Sequence, residues 1–134
     1  MATKAPADPE TNTTFISIGP VLAGWLLPGG GHFIQRRWGR GALLLSAISL
    51  LYFLGMAMQG RFFSLTAGSL VDTLGFLGDL CSGMLYISAL FMGYEAPVSP
   101  APAADFGTKF LLVAGLLNVL CILDAHDIAI GRKD

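Results

Sequence analysis

The sequence predicts an all-α, multi-pass transmembrane helical bundle, with three to four membrane segments and a first helix broken by Pro and Gly. Three observations predict it. Gly41 to Met58 reads GALLLSAISLLYFLGMAM, eighteen positions without a charge. At about 1.5 Å rise per residue, such a helix crosses most of a hydrocarbon core roughly 30 Å thick. Arg36, Arg37, Trp38 and Arg40 precede the run and Arg61 follows it, and headgroup layers favour cations and indoles at the ends of a span. The 134-residue chain is also 54% hydrophobic and 13% charged. A soluble domain carries about 25% charged residues, and one this short could not cover so much apolar surface.

The elements follow in order. Residues 1–14, MATKAPADPETNTT, are polar and hold one Lys against Asp8 and Glu10. They read as a disordered tail, and the basic region of a signal peptide is missing. Residues 15–130 form the single membrane domain. Its first segment, residues 15–34, starts as the apolar run Phe15 to Leu27 and meets Pro28-Gly29-Gly30-Gly31. Pro and Gly disfavour a regular helix there. Two readings stay open: a kinked crossing, or a partial insertion that re-enters on the same side. The second segment covers 41–59 and the third 70–94. Three Pro in eleven residues, Glu95 to Asp105, make 95–105 a loop. The fourth segment is 106–128. No internal repeat of the kind that marks transporter folds is visible.

With four spans, Arg36, Arg37, Arg40 and Lys109 face one side and Lys4, Arg61, Arg132 and Lys133 the other, four against four. A re-entrant first segment moves Lys4 and gives five against three, so the positive-inside rule leans toward re-entry.

Apolar helices do not associate hydrophobically in lipid; small residues and interhelical hydrogen bonds hold them. Ala42, Ser46 and Ser49 mark one such seam, and Gly68, Asp72, Gly75, Asp79, Ser82 and Tyr86 a second. Ala114, Asn118, Cys121 and Ala125 make a third. Steps of three and four place each set on one helix face. They read as the interior of the bundle, or one of them as the face for a partner subunit or a water-filled path.

Asp72 and Asp79 are the intramembrane carboxylates. One near the bilayer centre costs about 2.5–3.5 kcal/mol on insertion scales. Entry into lipid at Leu70 sets Asp79 roughly 13 Å deep. The functional reading is a proton or ion site at Asp79 and Asp72. The structural one is a carboxylate bonded to Ser, Asn or backbone.

His32 lies in the glycine turn and His126 near the end of the last segment. Imidazole is a good haem or pigment ligand, but with four spans the two lie at opposite faces and share no haem. The expectation is that His126 pairs with a carboxylate and His32 meets headgroups. Cys81 and Cys121 sit in apolar stretches and read as small hydrophobes. No metal site, cofactor or catalytic residue is expected, because no spacing sets a nucleophile beside its base. The glycine run lacks the Lys-Ser/Thr ending of a phosphate loop. A net charge of −1 argues against nucleic acid. Arg36, Arg37, Trp38 and Arg40 form a basic-aromatic patch for anchoring, or for anionic lipid or an acidic partner.

Pro28, Gly29, Gly31, Phe33, Arg37, Gly39 and Gly41, in the stretch LLPGGGHFIQRRWGRGALLL, resemble the two-transmembrane-helix domain family. The C-terminal stretch DFGTKFLLVAGLLNVLCILDAHDIAIGRKD is similar to small bacterial membrane proteins of a family of unknown function. These resemblances imply architecture and carry no catalytic residue. Together the readings give a small non-enzymatic protein of the bacterial cytoplasmic membrane. It packs as a structural or accessory subunit on a larger membrane complex or on itself, with a channel or transporter as the alternative.

Overall fold

The computed structural model describes residues 9–65, 68–98 and 101–132, with side chains from residue 17 onward. It is all-α over these residues. The helices are α1 (Pro9–Leu26), α2 (Gly30–Ile34), α3 (Trp38–Ala57), α4 (Leu70–Cys81), α5 (Met84–Phe91) and α6 (Ala104–Ala129). α3 and α6 are each long and apolar enough to cross a bilayer. They lie antiparallel. Gly55 of α3 meets the Gly107 carbonyl and Leu111 of α6, and the absent side chains let the two backbones touch. At the other end Gly41 meets the Phe33 ring, and Gln35, two residues on, donates to the Ala125 carbonyl of α6. Between them lies the core, Ile48, Tyr52, Leu111, Ala114 and Cys121, with Ala89 from α5.

α1 begins at Pro9, ahead of the apolar stretch at Phe15, and residues 1–8 of the expected tail lie outside the described residues. The helix runs antiparallel to α6, with Gly24 against Ile122. After Leu26 the chain turns. Gly29 adopts φ 80°, a left-handed conformation that a side chain disfavours. Gly30 then packs on the Ala23 carbonyl and Gly31 on the Pro20 carbonyl and Ala125. Any Cβ on these three glycines would collide with backbone, so the run exists for close approach. α2 thus folds back along α1 and returns the chain to the end of α6 where α1 came in.

The third segment is not the continuous helix that 70–94 implies. It breaks at Ser82-Gly83 into α4 and α5, bent by 98°. Gly83 has φ 58°, and its backbone packs on the Trp25 carbonyl. α4 runs parallel to α6: Gly78 meets Leu112 and Gly115, and the Cys81 carbonyl reaches Asn118. α5 leads back toward the end of α3. Tyr52 donates to the Leu85 carbonyl at 2.9 Å, and Tyr94 to the carbonyls of Gly60 at 2.8 Å and Met56 at 3.3 Å. The two bent pairs therefore approach from opposite ends of the α3–α6 pair. Their tips meet midway along α6, where Trp25 Nε1–H donates to the Leu80 carbonyl at 3.2 Å.

Candidate functional site

The buried face of α6 repeats at steps of three and four: Ala104, Gly107, Leu111, Ala114, Asn118, Cys121 and Ala125. Small residues there admit the neighbouring helices, and polar groups gather at three levels along it.

At the C-terminal end of α6, His32 is wholly buried. Its Nε2 lies 3.1 Å from Asp124 Oδ2 and its Nδ1 3.8 Å from Cys121 Sγ. The glycine turn sets the imidazole there, since α2 has no side chain between Gly29 and Gly31 to hold it away from α6. Cys121 and Asp124 are three residues apart on one helix face. His32 therefore does not meet headgroups. The chain doubles back at Gly29 and carries the ring inward, where Asp124 satisfies it. His126 lies at this same end rather than at the opposite face, with Nδ1 4.0 Å from Asp127 Oδ1. The reason is again the α1–α2 return, which brings the glycine turn to the α6 terminus.

At the middle level, Asp79, Ser82 and Asn118 are buried. Asp79 Oδ2 accepts from the Phe63 backbone N–H at 2.8 Å. Asn118 Nδ2–H donates to the Cys81 carbonyl at 2.8 Å, where α4 ends. A helix terminus leaves orphan carbonyls, and a buried one needs such a donor. Asp79 Oδ1, Ser82 Oγ and Asn118 Oδ1 have no hydrogen-bond partner in the structure.

At the N-terminal end of α6 the groups are aromatic. The Phe62 ring lies 5.1 Å from Tyr86, 5.7 Å from Tyr94 and 6.2 Å from Tyr52. Burial pushes the Tyr94 phenol up from its ordinary value, so it remains a donor to its two carbonyls. Thr108 Oγ1 accepts from the Arg61 N–H at 3.0 Å, and Gln59 Oε1 from the Ala101 N–H at 2.9 Å.

The structure brings Asp79, Ser82, Ala114 and Asn118 into one interior and buries Gly75 beneath the Phe63 ring. It does not bring Asp72 to Asp79. Asp72 sits half-buried in the first turn of α4, where the helix dipole favours a carboxylate. Ser46 is exposed and donates to the Ala42 carbonyl at 2.7 Å, and Ser49 is half-buried. Arg36, Trp38 and Arg40 are exposed, with the Trp38 ring 5.6 Å from Phe33. Sequence spacing missed the Cys121–His32–Asp124 contact. The Cys-x-x-Asp step was readable, but its partner lies 92 positions from Asp124. The two ring nitrogens point opposite ways, so these three side chains do not converge on one metal ion. Among the described residues no group of three His, Cys, Asp or Glu could hold one. Both cysteines are free thiols.

A family of unknown function, DUF6677, matches residues 20–134. No curated protein and no solved structure matches the chain. The match takes in the Pro28–Gly41 turn and the C-terminal stretch together, so the turn is part of this family's own pattern and not the mark of a named transmembrane family. With most of its length covered and two helices long enough to cross a membrane, the chain belongs to the DUF6677 family of unknown function.

Proposed function

We propose that the protein is a non-catalytic subunit of the bacterial cytoplasmic membrane. It packs through the outer face of α3 against a larger membrane complex or a second copy of itself. In this reading α3 and α6 span. The α1–α2 and α4–α5 pairs each dip in and return on the side they came from. Arg36, Arg37, Arg40 and Arg132 then lie at one end, with Arg61 and Lys109 at the other, which makes the first end cytoplasmic.

The observation that carries the reading is the fate of the small-residue seams. From Gly75 onward that of the third segment is buried inside the protein, at Gly75, Asp79 and Ser82, and so is that of α6, at Ala114, Asn118, Cys121 and Ala125; only Gly68 and Asp72 stay out of it. The α3 seam is consumed only at one end. Ser49 is half-buried, whereas Ala42 and Ser46 are exposed, and so is Gly39 one step earlier, where a Cβ would meet nothing within 4 Å. Such a stripe in lipid suits close backbone approach by another helix. Purification in mild detergent tests this. A stoichiometric partner or a homodimer is expected, and Ser46→Trp should abolish it. A lone monomer unaffected by Ser46→Trp overturns the reading.

A second reading is an ion- or proton-coupled channel or transporter working through Asp79. The observation behind it is that Asp79 is 1% exposed and keeps Oδ1 unpartnered beside a broken helix, a setting in which ions bind in transport proteins. Flux into proteoliposomes decides it. Loss of flux in Asp79→Asn supports this reading, and equal flux removes it.

A further inference from the structure

We propose that Cys121 is a self-acylating thiol, a modification site that takes a long-chain acyl group from an acyl thioester, with His32 as its base and Asp124 as the residue that positions the imidazole. The geometry assigns the roles. Asp124 Oδ2 accepts from His32 Nε2–H at 3.1 Å. That fixes the proton on Nε2 and leaves the Nδ1 lone pair directed at the sulfur 3.8 Å away. Nucleophile, base and orienting carboxylate in this order are what thiol acyl transfer requires, whatever fold presents them.

The surroundings select the donor. Cys121 sits eight residues, roughly 12 Å, from the α6 terminus, within a helix that spans lipid. An acyl chain fits that depth. The arginines Arg36, Arg37 and Arg40 at the same end suit an anionic carrier. In the step, His32 Nδ1 takes the thiol proton and Sγ attacks the thioester carbonyl carbon. The new C–S bond forms as the old one breaks. The carrier sulfur leaves with the proton from His32, giving an acyl-cysteine and a free carrier thiol. Cys121 is 3% exposed and packs in the core beside Ile48, Tyr52 and Ala114, so the reaction requires the neighbouring helices to part while His32 stays against the sulfur. The protein is the acceptor and does not turn over, which keeps this proposal independent of the accessory-subunit reading.

Cys81 is the internal control. It is more exposed than Cys121, and the side-chain contacts of His32 go to Cys121 and Asp124 instead. The experiment incubates the full chain, in liposomes, with palmitoyl-coenzyme A and maps hydroxylamine-sensitive acylation by mass spectrometry. Acylation at Cys121 ahead of Cys81 is expected. His32→Gln should slow it by about 100-fold, and its remaining rate should climb about tenfold per pH unit from 7 to 8, as for an unassisted thiol. Asp124→Ala and Asp124→Asn should both slow it, because neither side chain holds the Nε2–H tautomer and balances the imidazolium that forms. Cys81→Ser should change nothing. Label on Cys81 first, no label on Cys121, or equal rates in wild type and His32→Gln would overturn the proposal. The site mapping in wild type decides it even where a variant fails to fold.

Discussion

Asn118 shows how much of this interior depends on single side chains. It is wholly buried, and its amide is the donor that the last carbonyl of α4 receives. Replacing it with Leu keeps the branched shape and removes the donor, which leaves the Cys81 carbonyl without its side-chain partner. The expected loss is about 1–2 kcal/mol, read from thermal unfolding in detergent. Asp79 invites a sharper contrast. Its Oδ2 holds the Phe63 N–H. Asp79→Asn keeps an acceptor there and should shift stability by less than about 1 kcal/mol. Asp79→Leu strips the amide of its partner and should cost about 2–3 kcal/mol. Spacing alone singled out both residues, because Asn and Asp in apolar helices stand out. Their partners are backbone groups of other segments, and nothing in a string of residues points to them. His32 is the extreme case. Its place in a glycine turn suggested an interfacial ring, whereas the return of α2 puts it at the centre of a contact between distant segments.

At the scale of elements, the helices with uninterrupted apolar runs were legible. The charge-free stretch 41–58 lies within Trp38–Ala57 but for its last residue, and the expected 106–128 is close to Ala104–Ala129. The break at Ser82-Gly83 was not legible. Neither residue forbids a helix, both lie in an apolar run, and the bend is enforced by what packs against it. A Cβ on Gly83 would overlap the Trp25 carbonyl, at a backbone angle that side chains disfavour. Gly83→Ala should therefore push the two tips apart, cost roughly 2–3 kcal/mol and weaken the Trp25–Leu80 hydrogen bond. Trp25 fluorescence should shift with it. Gly115→Leu makes the complementary prediction for α4. Its side chain would occupy the space of the Gly78 carbonyl, so helicity should survive while compactness falls, as measured by circular dichroism against protease resistance.

At the scale of the whole molecule, the two bent pairs fix the sidedness of every loop. Gly60, Tyr94 and Thr108 gather at one end, and Gln35 and Ala125 at the other. In a background without native cysteines, Arg37→Cys and Arg132→Cys should react with a membrane-impermeant maleimide from one side of the membrane, and Pro97→Cys only from the other. Reaction of Arg132→Cys and Pro97→Cys from the same side would contradict the two-span arrangement. The sequence reading allowed a re-entrant first segment from its Pro/Gly break, with charge balance leaning the same way. It had no means to find the bend in the third segment, because 98° between two apolar helices leaves composition and length unchanged.

The meeting of Trp25 with Leu80 has a consequence for biosynthesis. The two residues stand 55 positions apart, so a ribosome must make well over half of the chain before the first tip finds its acceptor. Until then that hairpin sits among lipids or insertion machinery with its indole unanswered. Lengthening truncated nascent chains until residue 80 clears the ribosome should therefore change how strongly the N-terminal hairpin is held by whatever shelters it.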